Sequence, residues 1–127
     1  MLVCRAVKGA TTADSNTAED ILEATDELLR TIMALNELTP EDVVSIFFST
    51  TRDLNATFPA VAARGLGLTD APLMCTHEMD VTGALDMVVR VIMHINTAKP
   101  TSELRHVYLK RAVELRPEFA REPVPAA

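Results

Sequence analysis

Tryptophan is missing from this chain of 127 residues, tyrosine occurs once and phenylalanine four times. Aromatics amount to 4% of residues, too few to build the stacking platforms on which proteins hold unpaired bases. Basic residues are scarce as well. Twelve Lys and Arg against eighteen Asp and Glu give a net charge of -6, which opposes attraction to phosphate backbones and anionic lipid. Cys4 and Cys75 are too few for a disulfide framework, and His77, His94 and His106 do not fall at the His-x-x-x-His spacing of a helical zinc site. The four glycines form neither a phosphate loop nor a dinucleotide fingerprint, and the Gly-x-Ser-x-Gly elbow of a serine hydrolase is absent. No apolar run nears the roughly twenty residues of a membrane span. The expectation is a soluble cytosolic protein with reduced thiols and no secretory signal, without metal, cofactor, nucleic acid or membrane partner.

What the chain does have is aliphatic. Hydrophobic residues reach 48%, so the interior has to be packed from Val, Ile, Leu and the six methionines. One domain of this length hides roughly two thirds of its unfolded surface, enough for a real core. Leu2 to Val7 reads as a strand that ends in a turn at Gly9 and Thr11-Thr12. Thr17 with Asp20 approximates a capping box, and beyond it Ile21, Leu22, Leu28, Leu29, Ile32 and Met33 share one helical face as far as Asn36. Thr39-Pro40 starts a short turn before the β-branched strand Val43 to Thr50. A shorter helix fits from Phe58-Pro59 to Arg64, stopped by Gly65 and Gly67. Strands follow at Leu73 to Thr76, along Met87 to Met93, and around His106 to Leu109. Residues 119–127, with two prolines and no periodicity, read as a frayed tail. Two helices cannot cover both faces of five or six strands, so a second subunit is expected on the uncovered one.

Arg90 is the residue that asks for an explanation. It interrupts Met87-Val88-Val89-Arg90-Val91-Ile92-Met93, a run apolar enough to be buried on both faces of a sheet, where an unpaired guanidinium loses its hydration at a cost of several kcal/mol. Such a cation needs an anion, either Glu78 or a ligand that brings negative charge. Because the bulk field repels an anionic ligand, capture depends on Lys8, Arg64, Arg90 and Arg116 clustering in one cleft.

Several segments together resemble the small monofunctional chorismate mutases of the trimeric bacterial type. They are Lys8-Gly9-Ala10-Thr11-Thr12, Cys75-Thr76-His77-Glu78, the strand of Arg90, Arg105-His106-Val107-Tyr108-Leu109 and Leu115-Arg116-Pro117. The likeness runs over nearly the whole chain to about Arg116. It implies an α+β fold with a mixed sheet of five to six strands and two main helices around a trimeric pseudo-barrel core, with a domain over 1–118 and a flexible tail over 119–127. It also implies an isomerase that turns chorismate into prephenate for aromatic amino-acid biosynthesis, with no cofactor and with sites between subunits of a homotrimer.

The roles the resemblance implies stand beside ordinary ones. Arg90 would reach the ether oxygen of the substrate, and Glu78 would accept from the ring hydroxyl and hold Arg90, or would simply be its ion-pair partner. Cys75 reads equally as a small buried hydrophobe or as a contact to that hydroxyl. Tyr108 would donate to a substrate carboxylate or serve the core. Phe58 and Leu115 would be apolar walls or plain core, and Met74 joins the binding residues. Arg64 would lie at the mouth of the site and Arg116 on a mobile C-terminal segment, against a default of solvated charge. Phe58, Cys75 and Glu78 would face Lys8, Arg90 and Tyr108 across an interface. Lys8 is the departure, since the family has arginine before Gly-Ala-Thr-Thr; lysine keeps the charge and loses the two-pronged grip on a carboxylate. Two other functions fit small proteins with an interfacial arginine: an enamine or imine deaminase of similar architecture, and a non-catalytic module that binds an anionic metabolite.

Overall fold

The computed structural model describes residues 1–126 and contains five strands and two α-helices. The strands are β1 (Val3–Thr12), β2 (Val43–Thr50), β3 (Leu73–His77), β4 (Val88–Thr97) and β5 (Val107–Tyr108). They form one mixed sheet in the order β3-β2-β4-β1-β5. β4 lies in the middle, antiparallel to both β1 and β2, while β3 runs parallel to β2 and β5 parallel to β1.

Helix α1 (Ala18–Leu35) begins where Thr17 accepts a hydrogen bond from the Asp20 amide at 3.2 Å. Only that half of the capping box forms, because the Asp20 carboxylate accepts from Ser15 Oγ at 2.6 Å instead. Asn36 ends the helix and ties it to the strand side, with its amide group bonded to both the N–H and the carbonyl of Arg105. Ile21 is buried in a second cluster with Ala13, Leu54 and Val89, while Leu28, Leu29 and Ile32 are fully buried against Val7, Ile46, Met93, Ile95 and Val107, all of which point to the same face of the sheet. Strand alternation selects them. Helix α2 (Ala60–Gly65) extends this layer over β3.

One expectation needs correction. Gly9 is not a turn: β1 runs through it to Thr12, and the glycine is there because β5, paired beside it, brings the Val107 carbonyl oxygen so near that a Cβ would lie 2.8 Å from it. The segment from Phe119, read as a frayed tail, makes hydrogen bonds as far as Val124, and Ala127 lies outside the described residues. A 3-10 turn over Pro117–Phe119 leads to a bridge between Ala120 and Tyr108, Arg121 donates to the His106 carbonyl at 3.0 Å, and the Val124 amide donates to Thr31 Oγ1 at 3.0 Å. Arg30 donates to the Val124 carbonyl as well. Hydrogen bonds to backbone, which leave no hydrophobic period in a sequence, hold this segment.

Candidate functional site

The second face of the sheet carries no α-helix; a 3-10 turn over Lys110–Glu114 covers only its Ala10 and Val88 end. Along β4, Val89, Val91, Met93 and Ile95 turn toward α1, while Arg90, Ile92 and His94 turn to the open side. From Arg90 onward the run is therefore buried on one face only, whereas Val88, on the same side of the alternation as Arg90, is covered as well, and the Arg90 side chain is 41% exposed. The open face keeps Phe47, Met74 and Ile92 exposed, which is why the sequence reads as though both faces were covered.

Pairing register assembles the site. Ala10 stands opposite Arg90 and beside Tyr108, Lys8 stands opposite Ile92, and Ser49 stands opposite Arg90 on the other side. Lys8, Ser49, Arg90, Ile92 and Tyr108 line a cleft of about 300 Å³ with Glu78, Thr76 and Phe47. That volume is at the small end for a ligand site. Glu78 follows β3, and its amide donates to the Thr50 carbonyl at 2.7 Å, which fixes its backbone at the sheet edge. Its carboxylate accepts from Arg90 at 3.3 Å, from Ser49 Oγ at 3.2 Å and from the Met79 amide at 3.1 Å. Arg90 and Glu78 thus pair within one chain, without a neighbouring subunit.

The Tyr108 ring is buried, and its hydroxyl makes no side-chain hydrogen bond among the described residues. Leu115 packs with Ala10, Val88, Tyr108 and Ala112 on the cleft side of the sheet and does not line the cleft itself. Arg116 pairs with Glu118 at 3.2 Å and stacks on Phe119, 4.7 Å from the ring centroid. The other expected residues are elsewhere. Cys75 points to the helix face, and with the exposed Phe58 it lines a separate hollow beside Leu54, Pro59 and His77. Met74 is exposed next to Phe47 in the β2–β3 register, and Arg64 is exposed on the last turn of α2. Within a single chain the four cations do not all converge: Lys8 and Arg90 line the cleft, Arg116 shares the Phe119 ring with Lys8, and Arg64 is elsewhere.

Ser49, His106 and Phe119 were not singled out by the sequence for this site. Ser49 shows itself only through register. His106 accepts the Lys8 amide proton on Nδ1 at 3.1 Å, which assigns its own proton to Nε2. Phe119 packs edge-on to His106 with ring centroids 4.9 Å apart. A scarce aromatic three residues after Arg116 was the available signal for Phe119.

Burial, and then the charges of Lys8, Arg116 and Arg121, hold His106 below the ordinary histidine pKa. The unfolded imidazole takes up its proton near pH 6.5, and the folded one only at lower pH. Folding stability from this group is therefore complete above about pH 6.5 and is lost as pH falls toward the depressed value. Between pH 7.5 and 5.5, the thermal midpoint of the native chain is expected to fall more steeply than that of His106→Asn, whose amide oxygen can still accept from Lys8. Parallel curves would remove His106 from the account.

Comparisons with known proteins agree with this geometry. The family described as chorismate mutase type I matches residues 4–119. The chain is similar to "Chorismate mutase AroH" of Bacillus subtilis (strain 168), with 45% identity over 120 residues that span 94% of each chain. A second relative, "Chorismate mutase AroH" of Thermus thermophilus, is 41% identical over 116 residues, 91% of this chain and 95% of that one. Among solved structures, a chorismate mutase from Clostridium thermocellum superposes with a TM-score of 0.84 at 46% identity, covering 85% of this chain and 96% of the other.

Proposed function

Since the chain belongs to the type I chorismate mutase family, we propose that it isomerises chorismate to prephenate in the cleft where Arg90 meets Glu78. The membership makes it an isomerase of aromatic amino-acid biosynthesis, and it gives no support to the deaminase or the non-catalytic module.

The rearrangement is a concerted Claisen shift that needs no proton transfer, covalent intermediate or cofactor. Two tasks remain for the protein: to hold a flexible dianion in one folded conformer, and to stabilise the charge that gathers on the ether oxygen as the C–O bond breaks. Lys8 and Tyr108 bind the carboxylates, Arg90 donates to the ether oxygen, and Glu78 accepts from the ring hydroxyl while it orients Arg90. The observation that carries this assignment is Arg90 itself, 3.3 Å from Glu78 on a sheet face that also turns Lys8 and Tyr108 into the cleft. A guanidinium anchored on one side by a carboxylate has donors left for a guest.

The enzyme acts as a homotrimer in the cytosol. Phe47, Met74 and Ile92, at 49%, 55% and 45% exposure, form the apolar ground on which neighbours would pack. Phe58, Arg64 and Cys75, remote from Arg90 in their own chain, would then complete a neighbour's cleft, with Arg116 at its lip. Purified protein supplied with chorismate alone is expected to accumulate prephenate, and to sediment as three chains. Chorismate left unchanged by correctly folded protein would end the proposal.

A further inference from the structure

We propose that Phe119 is a positioning residue, whose ring holds the Lys8 ammonium and the Arg116 guanidinium together at one lip of the cleft. The inference rests on the assignment of Lys8 to a substrate carboxylate. Lys8 Nζ lies 5.6 Å from the Phe119 ring centroid, and Arg116 Cζ lies 4.7 Å from it. Both distances fall within the reach of a cation–π attraction. The ring is itself held: it meets His106 edge-on, lies 5.9 Å from the Tyr108 ring, and follows an amide that donates to the Arg116 carbonyl at 3.0 Å.

What Lys8 lacks gives the ring its importance. No acidic side chain lies within ion-pair distance of Lys8 among the described residues, although Lys99, Lys110, Arg111 and Arg116 each have one. A lysine ammonium rides on a flexible four-carbon stem, and without an anchor it loses much freedom when it grips a ligand. A carboxylate anchor would compete with the substrate for the same protons. An aromatic face attracts the cation without accepting those protons fully, so Lys8 is both placed and available. The same ring offsets part of the repulsion between two cations gathered for a dianion. Glu118, bonded to Arg116 at 3.2 Å, and the ring, 4.7 Å from its Cζ, hold that guanidinium from two sides.

Phe119→Leu keeps an apolar side chain and removes the aromatic face. It is expected to raise KM for chorismate about two- to fivefold, the scale of an exposed cation–π contact, with kcat within twofold of the parent. Phe119→Tyr should restore KM. In a Lys8→Met background, which raises KM by itself, the further effect of Phe119→Leu should shrink. Thermal midpoints of all variants guard against loss of folding. The proposal is overturned if Phe119→Leu leaves KM unchanged, if Tyr fails to rescue, or if the leucine variant costs the same with and without Lys8, which marks simple packing. A Lys8→Met variant with parental KM would instead defeat the assignment of Lys8 on which the inference stands.

Discussion

Arg90→Ala is expected to lower kcat/KM for chorismate at least about a hundredfold while moving the thermal midpoint by only a few degrees. The two expectations come from different physics. One preorganised donor aimed at a developing oxyanion contributes about 3 to 4 kcal/mol to transition-state stabilisation, and a hundredfold corresponds to about 2.7 kcal/mol. The Arg90–Glu78 pair is 41% and 31% exposed in the single chain, and half-solvated ion pairs contribute about 1 kcal/mol or less to folding. Catalysis should therefore suffer far more than stability. Replacement of Arg90 by citrulline, nearly isosteric and uncharged, separates fit from electrostatics: a loss close to that of alanine assigns the effect to charge. If Arg90→Ala turns over chorismate at near the parental rate, the ether oxygen is stabilised by another group.

Gly9→Ala should do the reverse and harm the fold first. A Cβ at this position would lie 2.8 Å from the Val107 carbonyl oxygen and 3.0 Å from the terminal methyls of Leu28 and Ile32. The methyls can rotate, but the carbonyl belongs to β5, which pairs with β1 through Gly9 and Ala10. Overpacking of this kind costs about 1–3 kcal/mol, and with a backbone atom as the obstacle the upper end is expected. For a chain of this size that corresponds to a fall of roughly 8–12 °C in the midpoint. Activity below the midpoint should drop too, because the displaced strand carries Tyr108. A Gly9→Ala protein as stable as its parent would show that β5 can step aside.

These two positions also mark how far the sequence could be read. α1, β2, β4 and Glu78 were legible because a cap, a β-branched run or a lone charge is a local feature. Arg90 was recognised, but its burial was overstated. An apolar residue such as Ile92, which faces the open side, looks in sequence like one covered by a helix, because one-dimensional periodicity does not say what does the covering. Gly9 was misread as punctuation, since a glycine demanded by the close approach of a paired strand has no signature other than itself. The contacts of the segment after Phe119 leave no trace in the sequence for a related reason: Arg121 bonds to His106 and Tyr108, and Val124 to Thr31 and Arg30, none of them a neighbour in the chain. Ser49 awaited the register that set it opposite Arg90.

The middle place of β4 has a consequence for biosynthesis. β1 and β2 never pair with each other, and each finds its antiparallel partner only in Val88–Thr97. A nascent chain can wind α1 early, yet it must carry two apolar ribbons unzipped until that segment has left the ribosome, a delay typical of sheets closed by distant partners. The stretch that delivers the guanidinium is thus also the one that shuts the sheet, so a chain truncated before it would lose catalyst and scaffold in one step.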